Sequence, residues 1–185
     1  MKWTNRFVAL AAAIVMMCPS VASAYYWYAP TTAYKSFAPT ATTAQKATTM
    51  AAATGTESAT TAVEQALLRL ANQERVKNGR APLQADPALT TLARLKSSDM
   101  VAKNYFSHTS PTYGTPAQML AKNGISYYSY AENIAQGATA DQIHAMWMAS
   151  VGHRANILNP QLTRIGIGVV AGRSGYTATQ IFIAR

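Results

Sequence analysis

The chain has 185 residues, of which 49% are hydrophobic and 12% charged. That apolar fraction excludes a wholly disordered polymer, and a single cysteine excludes a disulfide scaffold within one chain. Sixteen Lys and Arg against seven Asp and Glu give a net charge of +9, which favours contact with anionic surfaces or polymers and carries no information on fold.

The first segment reads as an export signal. Lys2 and Arg6 supply a positive start, and Phe7 to Cys18 is an unbroken apolar run. The run is short against the roughly 20 residues of a membrane span. Pro19 and Ser20 end it, and Ala22-Ser23-Ala24 offers small residues for cleavage, so residues 1–24 are expected to be removed after Ala24. Met16 and Met17 precede Cys18 where a lipoprotein signal wants a small residue. The cut would remove the cysteine, Lys2 and Arg6, leaving a mature chain of +7 without a transmembrane span. It places the protein outside the cell or in the periplasm.

Residues 25–60 are rich in Thr and Ala, open on Tyr25-Tyr26-Trp27-Tyr28 and contain Pro30 and Pro39. Helical periodicity is absent, and few large apolar side chains could offset the entropy of ordering, so the segment is expected to be a disordered linker. Its aromatic cluster is either part of a plain spacer or a contact for a wall polymer or membrane interface.

Residues 61–185 read as one globular domain. Val63, Leu67, Leu70 and Ala71 recur at helical spacing, with Glu64 and Gln65 in the first turn and Asn78-Gly79 as the stop, which predicts a helix over about 61–77. Asp86-Pro87 caps a second helix running to about Lys103, its faces marked by Leu89, Leu92, Ala93, Lys96 and Met100. Thr115-Pro116-Ala117-Gln118 is a capping box for a short third helix ending at Asn123-Gly124. Thr139-Ala140-Asp141-Gln142 is a second box, opening a helix to about Ser150. Arg164–Ala171 and Tyr176–Ile183 flank Gly172-Arg173-Ser174-Gly175 and predict a hairpin. Gly166 and Gly168 alternate with apolar residues there, so a neighbouring element is expected close to that face. Helices first and a hairpin last make an α+β domain.

All three histidines, His108, His144 and His153, fall in this domain. Glu132 is the only glutamate between His108 and His153, and a carboxylate in such apolar surroundings is expected to have a partner, either His108 or His153. Both histidines stand in loop-like contexts. His144 reads as a partly exposed surface residue, Trp147 as core, and Asn156 as bonding its local backbone. Arg154 either faces an anionic ligand or forms a surface ion pair. Tyr127, Tyr128 and Tyr130 either line a groove or belong to an aromatic strand or loop covering the core.

Four strings occur in order: Asn104-Tyr-Phe-Ser-His108, Ala131-Glu-Asn-Ile-Ala135, Trp147-Met-Ala-Ser-Val-Gly-His153-Arg-Ala-Asn-Ile-Leu158, and Ile165-Gly-Ile-Gly-Val169 followed by Thr179-Gln-Ile-Phe182. Together they resemble the CAP superfamily of cysteine-rich secretory, antigen-five and pathogenesis-related proteins, in its short bacterial branch. The resemblance covers about residues 63–185. It implies an α-β-α sandwich with a central antiparallel sheet and an open cavity. His108, Glu132 and His153 match the cavity histidines and the first glutamate, while Ser150 stands where the second family glutamate would be.

Two chemical readings of this constellation remain. His108, Glu132 and His153 could hold zinc or another divalent cation with a water in the fourth position. Alternatively they hydrogen-bond one another and fix loops around the cavity, with no cofactor required. Ser150 beside His153 and Glu132 has the composition of a nucleophile triad but lacks a strained-turn context, and reads as a cavity-wall hydroxyl. The expected function is a secreted, non-catalytic module that binds a lipid or an anionic cell-envelope polymer through a cavity walled by His108, Glu132, His153, Ser150 and Arg154. A metal-assisted hydrolase is the alternative. The basic residues are scattered without a recognition motif, which argues against nucleic acid.

Overall fold

The local signals for helix ends are realised in the chain. The computed structural model describes residues 23–28 and 54–185, with side chains from residue 59 onward. Most of the expected export signal and most of the expected linker lie outside the described residues. Helix α1 spans Thr54–Lys77, starting seven residues before the expected 61. Helix α2, Pro87–Ala102, begins where the Asp86 carboxylate accepts from the backbone N–H groups of Ala88 and Leu89. Helix α3, Pro116–Lys122, carries the full capping box of Thr115 and Gln118. Helix α4, Ala140–Ala149, is capped by Thr139, but Gln142 reaches back to the N–H of Ala138 rather than of Thr139.

Helix α5, Val151–Leu158, follows at once. Ser150 ends α4 and caps α5, its Oγ lying 3.5 Å from the N–H of His153. His153 is therefore on a helix and not in the loop that the sequence suggested. Gly152 in its first turn and the lack of a long apolar run hid an eight-residue helix.

Five strands form one sheet in the order β1-β3-β5-β4-β2. They are β1, Ser23–Tyr28; β2, Gln84–Ala85; β3, Ser129–Gly137; β4, Arg164–Gly172; and β5, Gly175–Ala184. β3, β5 and β4 are antiparallel, β1 adds antiparallel to the outer edge of β3, and the two residues of β2 run parallel to β4. The pairing of β1 sets Tyr25 opposite Glu132, and the expected cut after Ala24 falls within this strand.

Side chains of adjacent strand residues point to opposite faces, and two cores follow from that alternation. On one face Tyr130, Ile181 and Ile183 pack with Leu89, Leu92 and Ala93 of α2 and Leu120 of α3. On the other, Ala131, Ala135, Ile165, Ile167, Ala178 and Phe182 pack with Leu67 of α1, Trp147 of α4 and Ile157 of α5. The result is the expected α-β-α sandwich. The close approach expected at the β4 glycines is α2: a Cβ on Gly166 would stand 2.1 Å from the Leu89 carbonyl carbon, and one on Gly168 would stand 1.9 Å from the Arg94 nitrogen. Only hydrogen at these positions lets the helix lie on the sheet.

Two buried ionic groups pin α1. Glu64, read from the sequence as a polar first-turn residue, is buried and takes two hydrogen bonds from Arg94 at 2.8 and 2.5 Å and one from the Val169 N–H at 3.0 Å. Arg75 is buried and donates to the carbonyls of Ala81, Ile157, Asn159 and Leu162, tying α1 to the segment after α5.

Candidate functional site

Glu132 lies in the middle of β3, pointing to the α2 face with Tyr130 and its cross-strand neighbour Ile181. The α2–α3 loop brings His108 over this face, and its Nδ1 meets Glu132 Oε1 at 2.7 Å. Glu132 is fully buried and His108 nearly so. Of the two partners that the sequence left open for this carboxylate, the structure places His108 in direct contact. Burial raises the carboxyl pKa of Glu132, while the hydrogen bond from His108 and the charges of His108 and Lys96 oppose that rise.

A second layer holds the pair in place. Lys96 sits in the buried stripe of α2, and its ammonium donates to the His108 carbonyl at 2.9 Å and to the Tyr105 hydroxyl at 3.4 Å. It also lies 5.1 Å from the Tyr105 ring centre, within cation–π range. Burial lowers the pKa of Lys96, and Glu132 and Asp99 act in the opposite sense. Asp99, one helical turn on, accepts from Tyr105 and Ser110 at 2.6 Å each and from Thr112 at 2.5 Å. These hydrogen bonds, with the charge of Lys103, outweigh burial and hold its carboxyl down to about 2. The loop that presents His108 is therefore tied to α2 by three side chains, Tyr105, Ser110 and Thr112, through Asp99, and by Tyr105 again and the His108 carbonyl through Lys96.

The other candidate residues are distributed differently. His153 is buried, and its carbonyl accepts from Asn133, whose side chain points to the face opposite Glu132. Asn133 also donates to Gln180 at 3.1 Å and accepts from Asn156 at 2.8 Å. Asn156 thus reaches across to β3, donating to the Asn133 side chain and to the Glu132 carbonyl at 3.5 Å, a long-range role that the expected local backbone bond did not include. Ser150 serves as a helix cap, and Arg154 is exposed and donates to the Met148 carbonyl at 3.0 Å. Arg154 accordingly stands outside the buried cluster. Among the described residues, no three His, Cys, Asp or Glu side chains are grouped to hold a metal ion, so His108, Glu132 and His153 do not form a three-ligand set.

His144 is buried rather than at the surface, with Nδ1 lacking a hydrogen-bond partner, and burial lowers its pKa. Trp147 is core, as expected. Tyr130 is core as well, its ring meeting Tyr127 edge-on at 5.2 Å, while Tyr128 is 78% exposed. Sequence reasoning missed Asp99, Tyr105, Asn133 and Gln180 as members of these networks. For Lys96 a signal existed: a lysine in register with Leu89, Leu92 and Met100 on a capped helix must be buried or must bend out to solvent. A cavity of about 620 Å³ opens where Tyr105 and Phe106 approach the β4–β5 turn, and neither His108 nor Glu132 lines it.

A sequence profile of the Cysteine-rich secretory protein family matches residues 68–183. An uncharacterized Bacillus subtilis protein, YkwD, is 49% identical over 133 residues, covering 71% of this chain and 51% of that protein. The chain spans about half the length of that relative, and 35% of an uncharacterized Bacillus subtilis membrane protein, YlbC, that is 37% identical over 126 residues. Among solved structures, an extracellular Bacillus anthracis protein containing an SCP domain superposes with a TM-score of 0.64 at 33% identity, covering 70% of this chain and 43% of that one. An outer surface protein of Borrelia burgdorferi superposes equally, with a TM-score of 0.64 at 20% identity over 68% of this chain and 95% of that one, and shares the fold. No helix among the described residues is long and apolar enough to cross a membrane.

Proposed function

Since this chain belongs to the cysteine-rich secretory protein (CAP) family, we propose that it is an exported, non-catalytic module that binds a lipid or an anionic component of the cell envelope. The observation that carries this reading is the use made of the family's polar residues. His108 and Glu132 are buried against each other at 2.7 Å inside a network that clamps a loop, and the Ser150 hydroxyl caps a helix. Groups used in this way hold a loop and start a helix, which supports a positioning role. The excess of Lys and Arg over Asp and Glu supplies attraction to anionic polymer, which weakens as salt rises. Sedimentation of the protein with isolated cell walls and with lipid vesicles tests the reading, and failure to bind either would overturn it.

The second reading, a metal-assisted hydrolase at His108, Glu132 and His153, has one feature in its favour. Oε2 of Glu132 is buried without a hydrogen-bond partner. The donor set nevertheless does not fit a three-ligand centre among the described residues. Zinc calorimetry separates the two readings. Micromolar binding that disappears in His108→Ala and His153→Ala would establish a metal site there and call for a screen of hydrolytic substrates, whereas no binding, or binding indifferent to both, would remove the second reading.

A further inference from the structure

We propose that the cavity between the α2–α3 loop and the β4–β5 turn is the binding site of the module, and that its ligand is an anionic glycan segment. The proposal rests on the ligand-binding reading above and adds the place and the ligand class. The site differs from the His108–Glu132 pair, which is buried and does not line the cavity. At about 620 Å³ it falls within the roughly 300–1,000 Å³ of small-molecule clefts.

Six side chains define its chemistry: Asn104, Tyr105, Phe106, Gln136, Arg173 and Tyr176. Three aromatic rings offer flat apolar faces on which the C–H faces of sugar rings stack. Two amides can each donate to one ring hydroxyl and accept from its neighbour. The guanidinium of Arg173 is exposed, joins none of the ion pairs among the described residues, and suits bidentate contact with a carboxylate or phosphate. No acidic side chain is among the described residues that line the cavity, so nothing there opposes an anion. Met100, Val101 and Ala102 supply one aliphatic wall, but an acyl chain would leave the amides and the guanidinium of the others without partners.

The walls are also built to hold their shape. Tyr105 is fixed at its hydroxyl by Asp99 and at its ring by Lys96. Asn104 before it adopts φ 52°, a left-handed conformation that Asn tolerates better than most residues and that turns the loop toward the cavity. On the facing wall Gly175 has φ 128°, and a Cβ there would stand 2.6 Å from the Gly137 carbonyl oxygen. The turn that carries Arg173 and leads into Tyr176 of β5 is thereby pressed onto the end of β3, next to Gln136. Rigid aromatic and amide groups facing one cation form a pre-organised site, which lowers the entropic cost of binding.

The test is calorimetry on the full chain with four probes. These are the carboxylated disaccharide N-acetylglucosaminyl-N-acetylmuramic acid, neutral diacetylchitobiose, inorganic phosphate, and phosphatidylglycerol vesicles. The carboxylated disaccharide should bind at least tenfold more tightly than diacetylchitobiose. Arg173→Ala should abolish that preference, and Phe106→Ala should weaken both sugars at least tenfold, with thermal unfolding unchanged in Arg173→Ala. Phosphate that competes with the disaccharide would assign the anion subsite to phosphorylated glycans as well. If the disaccharide does not bind, if it binds equally well to both variants, or if only vesicles bind, the proposal is overturned. Wall sedimentation separates this failure from that of the broader reading. Wild type and an Arg173→Ala, Phe106→Ala double variant sedimenting alike would remove the cavity and keep the module, whereas wild type binding neither walls nor vesicles would remove both.

Discussion

Asp99 gathers Tyr105, Ser110 and Thr112 on a single carboxylate, so the loop that carries His108 depends on one charge. Asp99→Asn should lower stability by about 1–3 kcal/mol, the cost of leaving buried hydroxyl donors poorly paired. The pH dependence has a definite sign. The folded carboxyl titrates near 2 and the ordinary value is 3.8, so its contribution is complete above 3.8 and is lost as pH falls toward 2. Thermal unfolding of wild type and Asp99→Asn should therefore differ at neutral pH and converge near pH 2. Glu64 invites a parallel measurement. Glu64→Ala removes both hydrogen bonds of Arg94 and strands the buried N–H of Val169, and should cost about 2 kcal/mol or more in urea unfolding. Neither role is legible in the sequence. Glu64 and Val169 are 105 positions apart, and no local pattern relates them.

At the scale of elements, α2 lies so close to β4 that the sheet accepts only hydrogen at Gly166 and Gly168. Gly168→Ala should cost about 3 kcal/mol or abolish folding, because the atoms it would meet are helix backbone and cannot rotate away. A normal unfolding midpoint for that variant would contradict the close packing. The capped helices were readable because their signals are local: Asp86-Pro87 and Thr115-Pro116 carry their own hydrogen-bond partners within three residues. Helix α5 was not, since its start coincides with the end of α4 at Ser150 and its stability comes from Ile157 in the core and from Asn156 on the sheet. The strand carrying Glu132 was only half visible. Burial on both faces replaces its polar–apolar alternation with a nearly continuous buried run from Ser129 to Ala135.

The whole molecule combines two cores with a basic surface, and both can be probed by titration. His144 is buried with its pKa below the ordinary 6.5. As pH falls through 6.5 the unfolded chain takes up that proton before the folded one does, so stability drops below 6.5 and the drop ends at the folded value. His144→Leu should remove this component from a plot of unfolding midpoint against pH. Envelope binding should fall steeply between low and physiological salt, because a Debye length of about 10 Å at 0.1 M screens scattered surface charge. Retention indifferent to salt would show that charge is not the attraction.

Helices α1 to α4, the caps of α2 to α4, the terminal hairpin and the family were determined by the sequence itself, because caps, turns and short motifs act over a few residues. The tertiary structure alone decided that His108, and not His153, meets Glu132 at hydrogen-bond distance, that Lys96 and Asp99 clamp the loop, and that His144 is buried. These outcomes depend on which face of β3 each side chain occupies and on how closely α2 approaches the sheet. Both are set by packing between residues far apart in the chain, where local propensity carries no information.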